Sequence, residues 1–239
     1  MKSKIINAAT CDAREVTEES LAGFEHITIN AAILIVGERS KGLLNKYPVT
    51  MNVANMLEVP DGQGITVKSI NGKGEIGPEA DGTGVFLMVN GKLLVADGCA
   101  EAVKSYFRIM VNGKVLMPKS MEGQFANIQV NGKTEYYPDG ASILKADTGI
   151  DDLFIQRAAN TLYYCSGNLF FLDHEIDTDA LIRKGLRFAA QKVIISESLV
   201  DKLISQIDEE AEIVRVPDGT ALIDDDLELK SKTIKKYGT

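Results

Sequence analysis

The tripeptide Pro-Asp-Gly recurs at Pro60-Asp61-Gly62, Pro138-Asp139-Gly140 and Pro217-Asp218-Gly219, at intervals of 78 and 79 residues. Each copy closes an apolar, strand-like run, and an apolar residue stands third after each glycine: Ile65, Ile143 and Leu222. Equal spacing with equal flanks predicts a structural unit used three times, whose copies bury their apolar faces by stacking on one another.

A second, shorter period lies inside the first. An apolar residue followed by Asn-Gly-Lys appears at Ile70 to Lys73, Val89 to Lys92, Val111 to Lys114 and Val130 to Lys133, with related forms at Ile29-Asn30-Ala31-Ala32 and Met51-Asn52-Val53-Ala54. Both Asn and Gly tolerate positive φ, so within strand-like flanks the pair predicts tight turns. Helical spacing of apolar residues, three or four apart, predicts short helices over Glu38 to Asn45, Cys99 to Tyr106, Asp177 to Gly185 and Ser196 to Gln206. Thr17 followed by two glutamates predicts another helix start. Strands are predicted where residues alternate or run apolar, as in Ile27-Thr28-Ile29 and Val193-Ile194-Ile195.

Each long unit thus divides into coils of about 20 residues, the range of leucine-rich-repeat solenoids. The patterns Phe24-x-x-Ile27-x-Ile29-Asn30-x-x-Ile33 and Tyr106-x-x-Ile109-x-Val111-Asn112-x-x-Val115 carry the likeness. On these residues the chain resembles an atypical leucine-rich-repeat protein over most of residues 17 to 219. The departure is the asparagine, which follows the strand directly instead of three residues later. A mixed parallel β-helix fits the same residues. The expected fold is one α/β solenoid domain of roughly eleven coils. Residues 1–16 form an N-terminal capping strand, 17–96 unit 1, 97–176 unit 2, and 177–239 unit 3 with a C-terminal cap.

Composition narrows the function. The 239-residue chain carries a net charge of −8, which disfavours phosphate-backbone binding because the basic surface that drives counterion release is missing. Apolar content of 45% without a membrane-length apolar run points to a soluble protein rather than a membrane protein. Cys11, Cys99 and Cys165 are odd in number and lack Cys-x-x-Cys spacing, so free thiols in a cytoplasmic, reducing compartment are expected.

Candidates for chemistry are sparse. Asp173, Glu175, Asp177 and Asp179 alternate through an acidic segment, a weak metal-binding candidate that lacks the glycine and distal glutamate of a calcium loop. Helix capping by Asp177 or Thr178 competes with it. Asp224-Asp225-Asp226 with Asp151-Asp152 offers a second acidic candidate, against the simpler reading of a solvated charge run. Cys165 and His174 stand nine residues apart, yet Cys165 falls in an apolar strand where an inert thiol is expected. His26 falls at a helix-to-strand junction and carries a structural reading. The Gly-rich stretches at Asp61 to Gly64 and Asp81 to Gly84 match no phosphate-binding fingerprint. Lys73, Lys92, Lys114 and Lys133 form a basic stripe if their segments stack, a candidate partner-binding surface, although edge lysines also block aggregation. Tyr136 and Tyr163 would serve as interface anchors if they point outward.

No constellation demands catalysis, a cofactor or a resident metal. The expected function is a non-catalytic cytoplasmic scaffold that binds a protein partner along an extended solenoid face, with no nucleic-acid or membrane partner. Self-assembly into a structural array is the first alternative. An enzyme or carbohydrate-binding protein of β-helix type, with an acidic site at residues 173–179, is the second.

Overall fold

The structure, a computed structural model, describes residues 2–62 and 64–220. It is an α/β fold whose strands pair in parallel in three sheets. The first sheet runs β1 (Lys2–Asp12), β2 (Phe24–Val36), β3 (Val49–Glu58). The second runs β4 (Thr66–Ile76), β5 (Val85–Val95), β6 (Arg108–Pro118), β7 (Ile128–Tyr137). In the third, β8 (Ser142–Leu144) and β9 (Thr148–Gly149) both pair with β10 (Leu162–Phe171), followed by β11 (Arg187–Ser196) and β12 (Glu212–Val216). Strand order follows chain order in every sheet, so each connection returns the chain to the same end of its sheet.

The Pro-Asp-Gly tripeptides mark where the sheets part. The first lies between β3 and β4, the second between β7 and β8, and the third follows β12. Divisions at 96/97 and 176/177 instead fall inside the second and third sheets. Leu222, the acidic run at Asp224 to Asp226 and the expected C-terminal cap lie outside the described residues.

The three aspartates share one task. Asp61 Oδ2 accepts from the backbone N–H of Arg39 (3.2 Å), at the start of the helix Glu38–Lys46 in the first sheet's second connection. Asp139 Oδ1 accepts from the Ser120 N–H (3.4 Å) and hydroxyl, at the 3-10 turn Lys119–Met121. Asp218 Oδ1 accepts from the Ser198 N–H (3.2 Å) and hydroxyl (2.9 Å), at the 3-10 turn Glu197–Leu199. Each carboxylate thus caps the orphan donors of the turn that follows the neighbouring strand. Asp139→Ala is expected to lower stability by about 1 kcal/mol in urea titration. Glu122→Ala, on the adjoining exposed loop, is expected to have no measurable effect.

Asparagine and glycine stack within strands and form no turns. Asn71, Asn90, Asn112 and Asn131 occupy matching positions in β4 to β7, followed in register by Gly72, Gly91, Gly113, Gly132 and then by the four lysines. Each asparagine amide donates to the side-chain oxygen of its predecessor at 2.9 Å. The first sheet repeats this through Asn7, Asn30 and Asn52, at 2.7 and 2.8 Å. The ladder is therefore made by side chains that follow an apolar run directly. The tight-turn expectation fails because each Asn-Gly pair lies inside a strand, in register with the same pair of a parallel neighbour.

Short helices behave as their caps predict. Thr17 and Ser20 form a capping box at Glu18–Ala22. Asp177 caps Thr178–Arg183 by accepting from the Ala180 N–H at 2.8 Å. The segment 196–206 forms two 3-10 turns around Val200–Leu203 instead of one helix. A helix at Asp152–Arg157, capped by Asp151, was not legible from apolar spacing.

Both faces of the central strands are buried. Leu87, Val89, Leu93 and Val95 of β5 join Val103 and Met121 on the side that carries the second sheet's helical turns. On the opposite side, Phe86 and Met88 pack against Ile33, Ile35 and Leu57 of the first sheet. Beyond the asparagine, Leu94 joins Leu116, Tyr137 and Tyr164 at the third sheet. The second sheet is thus wedged between its neighbours, and its strands read as nearly continuous apolar runs for that reason.

The junction with the third sheet buries two tyrosines. Tyr137 donates its hydroxyl to the Val95 carbonyl at 2.8 Å, and its ring lies 6.0 Å from that of Tyr164. Burial, reinforced by nearby Glu135, pushes Tyr164 up to about 12. A raised phenol contributes stability that is complete below the unfolded value of about 10 and is lost as pH rises through the folded value. The stability of wild type relative to Tyr164→Phe is therefore expected to fall between pH 10 and about 12, read as urea midpoints at each pH.

Candidate functional site

Four lysines that are scattered in sequence stand side by side in the second sheet. Lys73 pairs with Lys92, Lys92 with Lys114, and Lys114 with Lys133, in consecutive parallel strands. Adjacent strands are about 4.8 Å apart, so the column sets the lysine backbones at that spacing. Two residues on, a second column reads Glu75, Leu94, Leu116, Glu135. Residues two apart in a strand share a face. The two columns therefore combine into one surface, with carboxylates only at its outer strands.

Glu135 answers one end of the column. It is buried, with Oε2 against Lys114 Nζ, Oε1 at 2.7 Å from Lys133 Nζ, and Oε1 also accepting from Gln191 of β11 at 3.1 Å. Burial alone would raise its pKa. The two lysines outweigh burial and hold the carboxyl below its ordinary value. Among the described residues, Lys92 has no such partner. Burial, with Lys114 and Lys73 nearby, lowers its pKa, and Glu135 only partly opposes this.

The third sheet supplies a facing wall. Ile143, Leu144, Lys145 and Ser166 stand across from Lys73, Lys92, Leu94 and Lys114 and enclose a cleft of about 720 Å³. Lys133 and Glu135 line a separate cavity of about 440 Å³, together with Tyr136, Tyr164 and Gln191. The column is thus divided between Lys73, Lys92 and Lys114 in the cleft and Lys133 in the second cavity. Lys145, Ser166 and the two glutamates were missed by sequence reasoning. The glutamates share a detectable signal, a fixed offset of two residues from Lys73 and Lys133.

The other candidates are engaged elsewhere. Asp173 Oδ1 accepts from the Glu175 N–H at 3.0 Å, Asp177 caps a helix, and the Asp177 N–H donates to Asp152 Oδ1 at 2.8 Å. Glu175 and Asp179 are exposed on the same segment. Among the described residues, no group of three or more His, Cys, Asp or Glu side chains is placed to hold a metal ion. Cys165 is fully buried and its thiol donates to the Lys145 carbonyl (3.2 Å), whereas His174 is exposed. His26 Nε2 lies 3.1 Å from the Thr50 hydroxyl. Tyr163 points into the core, stacked on Phe188 with ring centroids 5.9 Å apart, so it is no surface anchor. Tyr136 is half-buried.

Comparison with protein-family models, curated proteins and solved structures finds no match. Among the described residues, no helix is long and apolar enough to cross a membrane. The lysine surface is therefore judged on its own geometry.

Proposed function

We propose that the protein is a non-catalytic scaffold, a leucine-rich-repeat-like solenoid of stacked coils that binds a protein partner through its lysine column. The observation that carries this reading is the strand-by-strand register of Lys73, Lys92, Lys114 and Lys133 in a chain whose net charge is −8. A column of fixed positive charge on an otherwise acidic molecule selects an acidic partner surface and orients it. Three free cysteines, two of them buried, fit a reducing, cytoplasmic setting.

The test is affinity capture by the wild type and by a Lys73→Glu/Lys133→Glu variant, in which both changed side chains are exposed. Loss of specifically captured proteins from a variant of unchanged thermal stability supports the scaffold reading. An identical captured set from both proteins would overturn it.

Self-association is the second reading. The outer edge of β1 has no strand partner among the described residues, its asparagine ladder ends at Asn7, and Ile5 beside it is 67% exposed. Open edges of this kind invite strand addition. Light scattering over a wide concentration range decides: a rising mass that Ile5→Lys abolishes favours self-association, and a constant monomer excludes it.

A further inference from the structure

The cleft between the second and third sheets has more positive charge than its structure uses. Lys73, Lys92, Lys114 and Lys145 line it, with Glu75 as the opposing carboxylate. Among the described residues, Lys114 is ion-paired, through Glu135, whereas Lys73, Lys92 and Lys145 enter no ion pair. Where a lysine in this sheet needs only neutralising, the sequence provides Glu135 at the neighbouring position. At Lys92 the same position holds Leu94.

We infer that this cleft is a binding site for a small, multiply charged anion with an apolar body, such as a phosphate ester or a dicarboxylate. Lys92 and Lys73, one strand apart, would each meet one charged oxygen group, and Lys145 would close on the ligand from the facing wall. The Ser166 hydroxyl is available as a further donor. Leu94 and Ile143 provide the apolar surface against which an uncharged part of the ligand would lie. A volume of about 720 Å³ is within the range of small-molecule sites. Lys92, partly buried and flanked by Lys73 and Lys114, carries a repulsion that an entering anion would relieve, so charge relief favours binding. The inference goes beyond the scaffold reading and does not depend on it, because a small ligand in the cleft requires no protein partner.

Titration calorimetry with inorganic pyrophosphate and with phenyl phosphate, at low and at physiological salt, tests the site. One saturable site is expected for each probe. Lys92→Gln should weaken binding by about tenfold, the effect of losing one charge-assisted hydrogen bond. Lys92→Arg should retain most of the affinity, and Glu75→Gln should raise it. Lys202→Gln, at an exposed position outside the cleft, should leave it unchanged. Removing charge from a self-repelling column does not threaten folding, and thermal melting of each variant checks that directly. Inorganic phosphate, titrated as a third probe, should bind less tightly than phenyl phosphate, because it lacks the apolar contact. Three results would overturn the inference: no saturable binding of either probe, several weak equivalent sites, or a site indifferent to both Lys92→Gln and Glu75→Gln in folded protein.

Discussion

Gly113→Ala is expected to destabilise the protein by about 3 to 5 kcal/mol, from backbone strain and overpacking together. Gly113 has φ of +143°, a conformation closed to most side chains, and an added Cβ would be driven into the Gly91 carbonyl of the adjacent strand. Gly91 stands in the same relation to Gly72, and Gly132 to Gly113. The obstacle is backbone fixed by the sheet's own hydrogen bonds, so it cannot move aside as a flexible side chain would. Gly140 provides the contrast. It has φ of +75°, but an added Cβ would meet nothing within 4 Å. Gly140→Ala should therefore cost only about 1 to 2 kcal/mol, the penalty of the left-handed conformation alone. Urea unfolding of the two variants measures the difference, and equal losses would mean that the glycine column is not a close backbone stack.

Phe86→Ala is expected to cost about 3 to 5 kcal/mol through the cavity it leaves. Phe86 is fully buried where the first and second sheets meet, against Ile33, Ile35 and Leu57. Because the lost contacts belong to two sheets, amide exchange should accelerate in β2 as well as in β5. Met56→Ala, at a position 40% exposed, should stay within about 0.5 kcal/mol of wild type. A faster exchange confined to β5 would show that the first sheet stands without this junction.

Much of the architecture was visible in the residues that cap and punctuate. Thr17 and Asp177 announced their helices because a cap is a local interaction, complete within a few residues. The Pro-Asp-Gly tripeptides coincide with the breaks between sheets, whereas the expected unit divisions at 96/97 and 176/177 do not; the reason, an aspartate capping the turn after the neighbouring strand, spans 19 to 22 residues and appears only in three dimensions. Asn-Gly misled for a physical reason. The tolerance of glycine for positive φ serves turns and close strand stacking equally, and only the apolar flanks on both sides distinguish the second use.

The lysine stripe was legible because its motif recurs at every strand of the second sheet. Its facing wall was not. The third sheet replaces Asn-Gly-Lys with Ser166-Gly167-Asn168, and there the Asn168 amide donates to Asp147 at 2.7 Å instead of to another asparagine. With the motif degenerate, nothing in the spacing of Lys145 and Ser166 connects them to Lys92. Their meeting depends on the packing of Leu94, Leu116 and Tyr137 against Tyr164.

The register of the lysines is open to direct measurement by pulsed electron paramagnetic resonance between spin labels at Lys73→Cys and Lys133→Cys, in a protein also carrying Cys11→Ser. Three strand spacings place the two backbones about 14 Å apart, so with label length included the distance distribution should be narrow and centred below about 25 Å. A distribution centred beyond about 35 Å would contradict the parallel column, and with it both the partner surface and the anion cleft.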